Sequence, residues 1–395
     1  MLHKRIYLDH AAATPLDSRV FSVMKPFLIS EHGNPSALYR SGVVARQAVE
    51  SARRQVADVL HTNPDMIVFT SGGTEGNNMA ILGAVRQLKN HSARKARPHI
   101  ITTTIEHSSV LEPIRQLEKE GCAVTYLPVD SNGLITVEQI KKALKKNTVL
   151  ISIGYVNNEI GTIQPIAEIG KMLLQYRKQN PKQTVLFHTD ACQAVNYCDL
   201  SVERLHVDLM TVNGSKIYGP KGVGALFVRR GVMLESIMYG GGQEKGMRSG
   251  TENVAAIVGF GKALELVEKM KEKEAKRLRQ IQISFLSQLQ KQSIGVVNGP
   301  QCTDERLPNN LNIHIPNIEA ETLILYLDAA GIECSAGSAC STDSYGSSHV
   351  LRAIGLSEKQ AKECIRLTMG RGTKKEDSVF VIKQLSRTLR LLNTM

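Results

Sequence analysis

Seven short apolar runs, at 67–70, 99–103, 123–127, 149–153, 185–188, 209–212 and 223–228, alternate with stretches of helical periodicity and constrain this chain more than any other feature. Runs so nearly continuous in Val, Ile and Leu suit strands covered on both faces. Their alternation with helices predicts an α/β fold with a mostly parallel, seven-stranded sheet. In such sheets ligands bind beyond the carboxyl ends of the strands, so the residues following each run are the candidates for chemistry. From 262 to roughly 292 a long charged helix breaks the rhythm, and two further strands with helices are expected after it. A chain of 395 residues is long for one core. We expect a large domain over 15–261 and a smaller α+β domain formed by 1–14 with 262–395.

Several function classes are disfavoured. The formal charge of +12 would favour acidic partners, but stretches such as 269–279 interleave Lys and Glu as a solvated helix face does, so nucleic-acid binding is not expected as the primary function. No stretch approaches the roughly 18 apolar residues of a membrane span, and the first residues lack a signal-peptide core; no membrane partner and a cytoplasmic location are expected. Seven cysteines, an odd number with no Cys-x-x-Cys pair, point away from a disulfide framework and a zinc site, so no metal is expected.

Three motifs carry chemistry. After the run 67–70 comes Ser71-Gly72-Gly73-Thr74-Glu75-Gly76-Asn77-Asn78 and an apolar helix. A glycine turn opening onto a helix start offers backbone N–H groups to a phosphate, although taken alone it is equally a plain strand-to-helix turn. The run 185–188 leads to Asp190-Ala191-Cys192-Gln193, and 209–212 leads to Lys216, followed by Ile217-Tyr218-Gly219-Pro220-Lys221-Gly222. A lysine at the ligand edge is either a loop lysine or a Schiff-base nucleophile. Lysine for an aldehyde, aspartate for a pyridine nitrogen and a helix start for a phosphate are together what pyridoxal 5'-phosphate needs.

With these motifs the chain resembles, nearly end to end, the cysteine desulfurases of the NifS/IscS type, in the class V aminotransferase group of fold-type I enzymes. The resemblance also rests on Tyr7-Leu8-Asp9-His10-Ala11-Ala12, Gly33-Asn34-Pro35-Ser36, Glu106-His107, Asn157-Asn158-Glu159-Ile160-Gly161, Gly246-Met247-Arg248-Ser249-Gly250-Thr251, Gly337-Ser338-Ala339-Cys340 and 366–371. It implies that Lys216 binds the cofactor covalently, Asp190 pairs its pyridine nitrogen and His107 stacks on its ring. It further implies that Gln193 and Asn158 contact the ring, that Gly73, Thr74, Asn213 and Ser215 lie at the phosphate, and that Thr251 completes the partner's site in a homodimer. Arg366, assisted by Asn34, would grip the substrate carboxylate.

Cys340 stands out independently of the family. It lies in a run of small polar residues from Ser338 to Ser348 with no apolar periodicity, which reads as an exposed loop, and an exposed cysteine is unusual. The remaining six cysteines lie in or beside apolar patterns. The resemblance assigns catalysis to Cys340, Lys216 and His107: it implies that L-cysteine gives L-alanine and a Cys340 persulfide, with His107 moving protons. The ten positions between Cys340 and Val350 match the long-loop members, which pass sulfur to an acceptor protein for iron–sulfur cluster assembly or tRNA thiolation.

Two departures bear on this expectation. Asn213 and Ser215 stand where the family usually has a serine and a histidine, which predicts weaker phosphate grip. The sequence ends at Met395 without the tail that some members use to dock a scaffold, so a different acceptor is expected. The alternatives are a selenocysteine lyase or another aminotransferase-type activity of the group, and a catalytically quiet partner protein.

Overall fold

A computed structural model describes residues 5–90, 97–301, 304–336 and 347–392. Its centre is a seven-stranded sheet in the order Ile67–Thr70, Gly224–Val228, Leu209–Asn213, Leu186–Asp190, Thr148–Ser152, His99–Thr103, Ala123–Leu127. Only Gly224–Val228 runs antiparallel to its neighbours, so the other six strands end on one edge. Along the inner strands, alternate residues feed two separate cores. Ile67, Ile101, Ile151, Phe187 and Met210 face one, while Val68, Ile100, Leu150, Leu186 and Leu209 face the other. Burial of both faces is why these runs are apolar at nearly every position.

Four expected runs differ at their ends: that at 209–212 extends to Asn213, that at 223–228 begins at Gly224, and two shift as a whole. The strand expected at 149–153 spans Thr148–Ser152, and that expected at 185–188 spans Leu186–Asp190, so Asp190 is itself the last strand residue. The long helix spans Val254–Lys291, starting eight positions before 262. Asn253 caps it by accepting from the Ala256 N–H at 3.2 Å. Gly259 and Gly261 blurred the periodicity there, and both are packing devices: a Cβ on Gly259 would lie 2.6 Å from Met24 Sδ, and one on Gly261 3.0 Å from Ala52 Cα. Close helix approach, rather than a turn, explains these two glycines.

This helix joins the two ends of the molecule. Ala256, Phe260 and Leu264 belong to one core of the large sheet, whereas Leu278, Ile281 and Phe285 pack with the later strands and helices. There, Val296–Val297, Asn310–His314 and Cys364–Thr368 form a three-stranded antiparallel sheet. Ile6–Tyr7 pairs in parallel with Ile332–Glu333, tying the first described residues to the last third of the chain. The sequence showed two strands here; the additional two-residue strands are too short to carry a period.

A buried ion pair fixes the 243–251 segment to the large sheet. Arg53, from helix Arg40–Leu60, donates NH1 to Glu244 Oε2 at 2.8 Å and NH2 to Oε1 at 2.6 Å. The same carboxylate accepts the Phe69 N–H at 2.8 Å, and Arg53 also donates to Ile67 O. These bonds hold Glu244 and Lys245 in left-handed backbone, at φ 46° and 60°. Glu244→Ala leaves Arg53 buried without this partner, and we expect a loss of roughly 3–5 kcal/mol in urea unfolding. A loss below about 1 kcal/mol would show that the pair does not anchor the segment.

Candidate active site

The site forms where the parallel strands end. Asp190 Oδ1 accepts the Cys192 N–H at 2.9 Å, and Oδ2 accepts from Asn77 Nδ2 at 2.7 Å. The neighbouring strand, paired Asp190 to Thr211, runs on through Asn213 into a single 3-10 turn, Gly214–Lys216. Asn213 Oδ1 accepts from both the N–H and the hydroxyl of Ser215, at 3.0 and 3.1 Å. The Lys216 amine donates to the carbonyl of Ala12, and its backbone carbonyl accepts from Asn196 Nδ2 at 2.7 Å.

The glycine motif supplies the adjoining wall. Gly72, at φ 150°, precedes a helical run that begins at Gly73 and continues through a π turn, Met79–Gly83, to Asn90. No side chain caps that start, which leaves its N–H groups to a ligand. A Cβ on Gly73 would stand 2.7 Å from Cys192 Sγ and 3.6 Å from Asn213 Nδ2, so only glycine allows the turn to sit against both. Because Asn213 Oδ1 is taken by Ser215, its Nδ2 is the donor turned toward this turn. Glu75 braces it, accepting from Ser71 N–H and from Arg248 Nε, each at 2.8 Å. Thr74 is exposed on the first turn, and Thr251 is exposed at the end of the anchored 243–251 segment.

His107 is the N-cap of helix Ser108–Lys119, where its Nδ1 accepts the Ser109 N–H at 3.1 Å. Burial lowers its pKa; the nearby Asp190 raises it, and Lys216 and His349 lower it further. Behind it, the buried Glu106 accepts from Thr103 Oγ1 at 2.7 Å and from the Gly154 N–H at 2.8 Å, and burial pushes its carboxyl up to about 7.

The N-terminal segment crosses the site. Ala11 O accepts from Gln193 Nε2 at 2.9 Å, and Ala12 O accepts from Lys216. Asp9 Oδ1 accepts from Arg366 NH2 at 2.8 Å, while Arg366 NH1 donates to Asn158 O at 3.1 Å. Lys216, Asp190, His107, Gln193, Asn158, Gly73, Asn213, Ser215 and Arg366 are thus joined by short chains of contacts. Asn34 is exposed in the turn before the second helix; its Oδ1 accepts from Ser36 N–H rather than contacting Arg366.

Residues that the sequence reading passed over are Asn77, Ser109, Asp9 and Glu159. Asn77 and Asp9 sat inside motifs already singled out, but nothing in the sequence showed which atoms they face. Glu159 is buried and accepts from the Ser348 hydroxyl at 2.6 Å, and His349 Nε2 lies 2.9 Å from Glu106 O. These contacts fix Ser348 and His349; Cys340 lies outside the described residues, as does Cys302. A cavity of about 600 Å³ lined by Leu111, Arg115, Tyr126 and His349 lies beyond this junction and contains neither Lys216 nor Asp190.

The residues present fit pyridoxal phosphate. An amine and a carboxylate stand at adjacent strand ends, an imidazole lies within their field, and an uncapped helix start offers donors beside Asn213 Nδ2. No group of three or more metal-ligating side chains occurs among the described residues.

Comparison with known proteins agrees with this geometry. The aminotransferase class-V family model matches residues 6–378. The cysteine desulfurase IscS of Dictyoglomus turgidum is 44% identical over 395 residues, covering 100% of this chain and 97% of that protein. Among solved structures, a NifS-like protein superposes with a TM-score of 0.89 at 34% identity, covering 98% of this chain and 100% of that one. A structure described as SspA in complex with cysteine gives 0.79 at 36% identity, over 92% and 98% of the two chains. The chain therefore belongs to the class-V aminotransferase family, among its cysteine desulfurases.

Proposed function

We propose that this protein is a pyridoxal 5'-phosphate-dependent cysteine desulfurase that converts L-cysteine to L-alanine and leaves the sulfur as a persulfide on Cys340. The observation that carries the reading is the meeting of Lys216 and Asp190 at adjacent strand ends, with Arg366 bonded to the same N-terminal segment that holds the Lys216 amine. When bound, the cofactor supplies an electron sink that loosens bonds at the substrate α-carbon. Lys216 holds the cofactor and then handles the α-proton, and Asp190 accepts from the pyridine nitrogen. The Gly73 turn, Thr74, Asn213 and Ser215 receive the phosphate, and His107, Gln193 and Asn158 line the ring. Arg366 presents a two-pronged donor to the substrate carboxylate. In sulfur transfer the Cys340 thiolate attacks the substrate sulfur; a sulfur–sulfur bond forms, the carbon–sulfur bond breaks, and the released carbon takes a proton.

The other thiols argue for Cys340. Burial is the leading cause for each of the five described cysteines: it pushes Cys198, Cys334 and Cys364 up to about 12, raises Cys122, and holds Cys192 well above the ordinary value. A thiol at about 12 is ionised in only about one molecule in ten thousand at pH 8, far too few for an efficient nucleophile.

The same reading includes a homodimer in which Thr251 reaches the partner's site, supported by the exposed apolar side chains Leu28, Ile29, Leu38, Tyr39 and Tyr239. It divides the chain into 15–261 and 1–14 with 262–395, supported by the separate hydrophobic clusters that the long helix serves in turn. It places the protein in the cytoplasm, and no helix among the described residues is long and apolar enough to cross a membrane. The persulfide passes to an acceptor protein for cluster assembly or tRNA thiolation.

Three outcomes test this. Cys340→Ala should abolish persulfide formation and alanine release from L-cysteine while the bound-cofactor absorption persists; turnover at the normal rate would sink the assignment. Brief alkylation of the native protein at about pH 8 should label Cys340 ahead of the four buried thiols Cys122, Cys192, Cys198 and Cys364 and the half-buried Cys334. Asn213 and Ser215 stand where relatives have a serine and a histidine, and the Ser215 hydroxyl divides its one proton between Asn213 Oδ1 and the phosphate, so cofactor affinity should be roughly 10- to 100-fold below that of relatives with the usual pair. Full cofactor retention through prolonged dialysis would contradict that last expectation.

A further inference from the structure

We infer that Asn77 and Ser109 are positioning residues that hold His107 as a neutral imidazole with its proton on Nε2. The inference deepens the proposed function, but its observations concern this chain's own side chains. Asn77 is completely buried, and its Nδ2 donates to Asp190 Oδ2 at 2.7 Å and to Ser109 Oγ at 2.8 Å. The amide orientation follows from chemistry: a carboxylate offers only lone pairs, so the group facing Asp190 is the NH2. That orientation is kept even though Asn77 Oδ1 is left buried with no partner among the described residues.

The direction of every following bond is then fixed. Ser109 Oγ accepts from Asn77, so its single proton is free for His107 Nδ1, 2.7 Å away. The Ser109 N–H points at the same nitrogen from 3.1 Å. Two donors aimed at one nitrogen require a lone pair there, and a neutral imidazole then carries its hydrogen on Nε2. Protonating Nδ1 would break the backbone bond and force the Ser109 hydroxyl proton to turn away from Nδ1. It would also place a cation at the start of helix Ser108–Lys119. The charged and titratable groups around the ring are Asp190, which favours the cation, and Lys216 and His349, which oppose it; the Glu106 carboxyl lies behind.

The consequence is directional. In its resting state His107 donates from Nε2 to whatever lies in the pocket. To take the substrate thiol's proton it must first reverse the Ser109 hydroxyl. Asp190 and His107 are thereby coupled through Asn77 and Ser109, so the two groups that flank the cofactor ring are set by one hydrogen-bond chain.

The test is nuclear magnetic resonance of the full-length, cofactor-loaded protein labelled with 15N-histidine, with the His107 signals assigned by their loss in His107→Gln. We expect a lone-pair nitrogen at Nδ1 and a protonated nitrogen at Nε2 near pH 7. Asn77→Asp removes both donated bonds and gives the Ser109 hydroxyl a new acceptor, so Oγ turns to accept from Nδ1; the His107 titration midpoint should rise by about one pH unit or more. Should that variant fail to fold, Ser109→Ala removes one of the two donors and should raise the midpoint in the same sense, while Ser109→Thr, which keeps the hydroxyl, should restore it. A proton on Nδ1 in the unaltered protein, or an unchanged midpoint in Ser109→Ala, would overturn the inference. Since tautomer and midpoint are read without turnover, either result stands apart from the outcome of the cysteine assay.

Discussion

The site depends on one half-buried carboxylate placed where a central strand ends. Asp190, partly withdrawn from water, takes its donors from the chain: the Cys192 N–H and Asn77 Nδ2. Each donor imposes a further condition. The Cys192 turn brings Sγ beneath Gly73, which excludes any side chain there and so exposes the helix start. Asn77, committed to Asp190, leaves Ser109 to complete the bond to His107. In the proposed function, the phosphate cradle, the ring-facing imidazole and the pyridine partner are therefore linked consequences of satisfying one group, not separate features laid side by side.

The strands and their order along the chain were legible because a sheet buried on both faces leaves little room for polar residues. The pairing of Asp190 with Lys216 at one edge was legible for the same reason: parallel strands end together. What failed to show was anything set by close approach. The first turns of the helix Val254–Lys291 were hidden because Gly259 and Gly261, poor helix formers, are placed there to admit Met24 and Ala52. The bond between Arg53 and Glu244 joins residues 191 positions apart, and no local pattern announces it.

Contacts within the site were hidden in a different way. The residues from Asp9 to Ala12 were recognisable as a motif, yet their role is carried largely by backbone carbonyls: Ala11 O receives Gln193, and Ala12 O receives Lys216. A carbonyl has no residue identity to read. Asn77 and Ser109 posed the opposite difficulty, since buried Asn and Ser most often serve packing or capping, and only the direction of their hydrogen bonds distinguishes the two uses. Residue types point to a class of cofactor; bond directions, which require coordinates, point to protonation states.

Arg366 shows how the two ends of the chain share the work. It is buried, and a guanidinium so placed is costly unless its charge is matched. Asp9 supplies the match from the N-terminal segment, and Asn158 O takes the neighbouring nitrogen. In the proposed function, a substrate carboxylate entering this position would meet an arginine already paired, so binding would exchange one anion for another instead of neutralising a bare cation. Such an exchange keeps the resting site stable while limiting the affinity for any single carboxylate, because the gain over Asp9 is smaller than the whole interaction. The segment from Asp9 to Ala12 is shared between the two cations: Asp9, bonded to Arg366, lies three positions from the carbonyl that holds the Lys216 amine.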